Sequence, residues 1–120
     1  MKPLTDLELA IMQVLWDAGG ATAREVHEAL RPTRPLAYTT VLTVLNILVE
    51  KGHLRRRKEG RAYRFIPRAS RQKTLSAMLD EFLRKAFGGS ALRLVYGLVE
   101  ERKLSRKDLE EIGRLLEKEP

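Results

Sequence analysis

At Gly52 a helical pattern stops and a strand pattern begins. From Leu36 to Lys51 the residues Tyr38, Val41, Leu42, Leu45, Leu48 and Val49 lie along one wide apolar helical face, and Gly52 supplies the stop. Beyond it, His53 to Arg57 and Arg61 to Ile66 read as two short strands around Lys58-Glu59-Gly60. Gly60 suits a positive-φ turn position, and Tyr63 and Phe65 alternate with Arg64. Pro67 closes the pair.

Two more helices precede this junction. Thr5-Asp6-Leu7-Glu8 is a capping box, after which Leu7, Ile11, Val14 and Leu15 recur at helical spacing until Gly19-Gly20. Thr22-Ala23-Arg24-Glu25 repeats the box and opens a short helix carrying Val26, Ala29 and Leu30, ended by the Pro32 to Pro35 segment. Helix, helix, helix and a two-stranded ribbon is the layout of a winged helix-turn-helix, in which the motif's second helix enters the major groove and the hairpin lies along the backbone.

The side chains suit those two tasks. At about 100° per residue, Thr39, Thr43, Asn46 and Glu50 occupy a band roughly 60° wide opposite the apolar face of helix three, with Thr40 beside them. Hydroxyls and amides donate and accept, so this face can read base edges; exposed helix faces ordinarily favour Glu, Lys and Arg instead. Tyr38 suits either the core face or a contact with DNA. Between Lys51 and Arg68 eight Lys or Arg stand against one acid, Glu59, a local +7 equal to the net charge of the whole chain. Arg55, Arg56, Arg57, Lys58, Arg61 and Arg64 are therefore candidates for neutralising phosphates. Basic residues also protect sheet edges, but protection does not call for so many charges unbalanced by acids.

The remaining composition narrows the function further. No cysteine is present, which excludes disulfides and thiolate metal sites. His27 and His53 sit in separate elements without a carboxylate cluster, and Trp16 reads as a packing residue. No nucleophile–base pair, phosphate-cradling Gly loop or carboxylate pair stands out by spacing, so neither an enzyme nor a cofactor is expected. No apolar run approaches the roughly 18 residues of a membrane span, and the N-terminus lacks a signal core; a cytoplasmic protein is expected.

Ser70 to Phe87 places Leu75, Met78, Leu79, Phe82, Leu83, Ala86 and Phe87 on one helical stripe, with Gly88-Gly89 as the stop. Ser90 starts a helix bearing Leu94, Val95, Leu98 and Val99, and Ser105 caps another bearing Leu109, Ile112 and Leu116. The expected division is a winged-helix domain over 1–69 and a helical dimerisation region over 70–120, making a mainly α fold. Pairing of Leu75, Met78, Leu79, Phe82, Leu83, Phe87, Leu94, Val95, Leu98, Leu109, Ile112 and Leu116 with a second copy would let a dimer read two half-sites. The alternatives are a tail folded on its own chain, and a winged helix that binds structured RNA or a protein partner.

Leu36-Ala37-Tyr38-Thr39-Thr40-Val41-Leu42-Thr43, then Glu50-Lys51-Gly52 and the Lys58 to Tyr63 hairpin, resemble the penicillinase and methicillin-resistance repressors of the BlaI/MecI family. So do Leu4 to Glu8, Val14-Leu15-Trp16, the Phe87-Gly88-Gly89-Ser90 junction and Leu104-Ser105. The resemblance implies a homodimeric transcriptional repressor that binds double-stranded operator DNA. It places Tyr38, Thr39, Thr40, Thr43 and Asn46 on the recognition helix, and Lys58 and Arg61 at the wing. Copper-responsive relatives carry a C-terminal cysteine cluster that this chain lacks. Antibiotic-responsive relatives are cleaved at an Asn-Phe pair where this chain has Gly97-Leu98, so the resemblance names no protease or sensor for it.

Overall fold

Thr5 and Glu8 open α1, Asp6–Ala18, with a reciprocal pair of hydrogen bonds: the Glu8 N–H donates to Thr5 Oγ1 at 3.2 Å and the Thr5 N–H to Glu8 Oε1 at 2.8 Å. The structure, a computed structural model, describes residues 2–119. Gly19 ends α1 at φ 74°, a left-handed conformation that strains residues bearing a Cβ. Thr22 and Glu25 form the same box at the start of α2, Ala23–Leu30.

The third helix, α3, spans Tyr38–Glu50 and starts two residues later than its apolar pattern suggests. Ala37 is extended at ψ 146°, and the carbonyl of Leu36 is engaged by His27 Nε2 at 2.9 Å rather than by a helical partner. The α2–α3 connection is thereby held by the His27 side chain.

Numbered in chain order, β1 is Ala21–Thr22, β2 is Leu54–Glu59 and β3 is Ala62–Pro67. The expected two-stranded ribbon is part of a three-stranded antiparallel sheet in the order β1-β3-β2. β2 and β3 run from Leu54↔Pro67 to Glu59↔Ala62 around Gly60 at φ 63°, while β1 sets Ala21 opposite Phe65. A two-residue strand is too short to show period-two alternation, so only its pairing reveals it. His53, expected to begin the ribbon, is buried just before β2, where its Nε2–H donates to the Lys2 carbonyl at 2.6 Å.

Phe65 joins the sheet to the helices. It is buried in one cluster with Ile11, Leu15, Val26, Val41, Leu45, Leu48 and Leu54, so the core draws on β2, β3 and the apolar faces of all three helices. Truncating a residue buried like this costs about 3–5 kcal/mol, since it leaves a cavity the rest of the core fills only in part.

The C-terminal helices are α4, Arg71–Phe87, α5, Ala91–Glu100, and α6, Arg106–Lys118. The chain forms two compact units that part between Ser76 and Ala77, within α4. The first turn of α4 belongs to the N-terminal unit. There Trp16 Nε1–H donates to the Ala69 carbonyl at 3.0 Å, Arg71 Nε donates to Gln13 Oε1 at 2.8 Å, and Thr74 is buried. The Arg71 guanidinium also lies over the Trp16 ring, 5.7 Å from its centroid.

In the C-terminal unit, Ser90 caps α5 and a Ser105–Asp108 box caps α6. Phe82 meets Phe87 edge-on at 5.6 Å, and Gly97-Leu98 lie inside α5. No described residue beyond Thr74 is buried. No described helix is long and apolar enough to cross a membrane.

Candidate nucleic-acid interface

The α3 face opposite the core carries Thr39, Thr40 and Thr43, all exposed, with Asn46 half-buried. The core residues Val41, Leu45 and Leu48 hold the other side of the helix and so set the direction in which the threonines point. Ile47, 37% exposed, also lies on this outer face, one turn beyond Thr43. It carries no hydrogen-bonding group, so polarity does not single it out; its spacing from Thr43 is the signal that places it there.

Tyr38 stands at the start of the same helix. It is 46% exposed, and its ring meets His27 edge-on at 6.0 Å, outside the buried core cluster. His27 thus braces both the helix entry and the tyrosine. Ala37 provides no side-chain cap for α3, which leaves the first backbone N–H groups open to an anion.

Strand register sorts the basic residues. Arg56 and Lys58 share a face with Leu54, opposite Phe65 and Tyr63, whereas Arg55 and Arg57 lie on the other face, opposite Ile66 and Arg64. On that second face Arg64 is engaged within the protein. Its Nε donates to Glu59 Oε2 at 2.7 Å, its Nη1 lies 3.6 Å from Glu25 Oε1, and it reaches the Gly20 carbonyl at 3.3 Å. The Arg64 hydrogen bond and charge hold the Glu59 carboxyl below its ordinary range, and the same bond raises the Arg64 guanidinium. Arg57 is 3.9 Å from the same carboxylate.

Lys51, the first charge of the basic run, sits in the fold rather than on the wing: its Nζ is 2.7 Å from Glu8 Oε1. Arg56 is also occupied, donating from Nη1 to Asn46 Oδ1 at 3.1 Å and lying over the Tyr63 ring at 5.1 Å. Among the described residues, Arg55, Lys58, Arg61 and Arg68 form no ion pair and are exposed. The arrangement is a neutral, hydrogen-bonding helix face beside a ribbon whose outer cations are free. Among the described residues no three His, Cys, Asp or Glu side chains gather as a metal site.

Residues 4–118 match the family model of the penicillinase repressor. The chain belongs to the penicillinase repressor family. It is 28% identical to the penicillinase repressor of Bacillus licheniformis over 114 residues, 95% of this chain and 89% of that one. It is 40% identical to the transcriptional regulator BlaI of Mycobacterium tuberculosis over 84 residues, 69% of this chain and 61% of that one.

Among solved structures, the DNA-binding domain of the repressor BlaI matches with a TM-score of 0.53 at 32% identity, covering 59% of this chain and 90% of that one. The monomeric form of Bacillus licheniformis BlaI in complex with the blaP half-operator matches at 0.52 and 31%, covering 59% and 87%. The three helices and sheet are thus the winged helix of penicillinase repressors. This family member is a DNA-binding transcriptional repressor and not an enzyme.

Proposed function

We propose that the chain acts in the cytoplasm as a homodimer on a palindromic operator, with α3 reading bases and the ribbon gripping phosphates. The observation that carries this reading is the uncharged outer face of α3 set beside the free cations Arg55, Lys58 and Arg61. Thr39, Thr40, Thr43 and Asn46 meet base edges in the major groove, and Tyr38 meets the backbone or a base where the helix enters. The relative described on a half-operator supports a half-site for each winged helix.

The C-terminal unit supplies the second copy. Leu79, Phe82, Ile112 and Leu116 are exposed there, Leu116 to 69%, and among the described residues none of its apolar side chains is buried. Helices this short gain their stability from packing an apolar face, so a unit without buried residues calls for a partner. A twofold partner uses the same surface on both copies and brings two reading helices to one duplex.

Selection of bound sequences from random duplex DNA is the test. Recovery of an inverted repeat, bound far more tightly than a scrambled duplex at the same salt, is the expected result. Equal affinity for both duplexes overturns sequence-specific repression; a selected single half-site, with a monomer in sedimentation at all dilutions, overturns the dimer alone.

A further inference from the structure

On the outer face of α3, Asn46 is already engaged by the wing. Arg56 Nη1 donates to Asn46 Oδ1 at 3.1 Å, and the same guanidinium lies 5.1 Å from the centroid of Tyr63. The register explains how these three meet. Arg56 pairs with Phe65 and Lys58 with Tyr63, so Arg56 and Tyr63 are diagonal neighbours on the sheet face they share with Leu54. Arg55 and Arg57, next along the strand, lie on the other face.

A guanidinium has five N–H donors and no acceptor, so the asparagine must turn its oxygen towards it. The amide NH2 group is then directed away from the wing. A freely rotating amide presents either its oxygen or its NH2 to a base; a held one presents the NH2.

We propose that Arg56 is a positioning residue for base recognition, holding the Asn46 amide so that its NH2 group meets an acceptor on a base edge. In the major groove the acceptors are purine N7, guanine O6 and thymine O4. Arg56 thereby leaves the set of phosphate-gripping cations, and the wing gains a part in choosing sequence. The inference rests on α3 being the reading helix.

Arg56→Lys separates positioning from charge, because lysine keeps the cation but loses the planar fork and the stack on tyrosine. On the full-length protein, binding to a selected operator and to a scrambled duplex is measured across a salt series. Arg56→Lys and Asn46→Ala are each expected to reduce the operator-to-scrambled ratio by roughly tenfold, the scale of one base contact. Arg56→Lys keeps the salt slope, and the double variant Asn46→Ala/Arg56→Ala discriminates no worse than Asn46→Ala alone. Lys58→Ala does the reverse, lowering the slope by about one with the ratio intact.

A wild-type ratio in Arg56→Lys, with a loss in Asn46→Ala, overturns the positioning role and leaves α3 as the reader. Full additivity in the double variant overturns it too. A wild-type ratio in Asn46→Ala removes Asn46 from base reading and the proposal with it.

Discussion

Lys51 Nζ lies 2.7 Å from Glu8 Oε1 and joins the residue after α3 to the first turn of α1. It also reaches the Pro3 carbonyl at 3.3 Å. The carboxylate it meets already serves the Thr5 capping box, so one acid fixes the start of one helix and the end of another. Burial alone raises the Glu8 carboxyl, but the Lys51 hydrogen bond, the Thr5 N–H and the Lys51 charge outweigh it and leave it below its ordinary range.

Lys51→Ala is therefore expected to lower stability by about 1–3 kcal/mol, the cost of depriving a buried acceptor of its partner. Chemical denaturation at neutral pH measures it. Because the Glu8 pKa is lowered by folding, its contribution is complete above the unfolded value and is lost as pH falls through the folded one. Wild type should approach Lys51→Ala in stability as pH falls below the ordinary carboxylate range. A gap between the two proteins that stays constant from neutral pH into acid would contradict this account.

Arg64 and Arg61 should behave differently although both belong to the basic ribbon. Arg61 is exposed at the turn, so Arg61→Ala should lower the salt slope of DNA binding by about one. Arg64 is held by Glu59, Glu25 and the Gly20 carbonyl, so Arg64→Ala should leave that slope nearly unchanged and loosen the wing against α2. Titration at several salt concentrations, with hydrogen exchange of β3, distinguishes the two.

Ile47 and Thr43 present methyl groups one turn apart on the outer face of α3. Contact with a thymine methyl would make replacement of thymine by uracil cost about 1 kcal/mol at one operator position, near the value of one buried methyl-sized group. Ile47→Ala should abolish that difference. Uracil scanning of both proteins shows whether it does.

Leu79 and Leu116 are exposed, and a dimer would cover such surfaces. Leu79→Glu and Leu116→Glu should shift sedimentation towards monomer and weaken operator binding while leaving the melting of the winged helix unchanged. A dimer that persists in both variants assigns the contact to other residues.

Local chemistry made much of this legible. The Thr5–Glu8 and Thr22–Glu25 boxes and the Gly60 turn depend on residues within a few positions of one another, and all form where spacing placed them. The apolar face of α3 is equally plain, because Val41, Leu45 and Leu48 follow one another at helical intervals and are buried. The wing was visible as a hairpin, but its charges could not be sorted. Arg56 and Arg64 look alike in sequence, and only the pairing of β2 with β3 sends one to Asn46 and the other to Glu59 and Glu25.

By itself the sequence determined the capping boxes that open α1 and α2, which faces are apolar, and where the excess cationic charge lies. Those properties follow from caps, periodicity and composition, which act over three or four residues. Tertiary structure decided that Ala21–Thr22 is a strand, that Lys51 belongs to the core's edge, and which basic residues remain free for an anion. These outcomes depend on partners far apart in the chain, and a cation's availability is settled by whether packing brings an acid or an amide within reach of it.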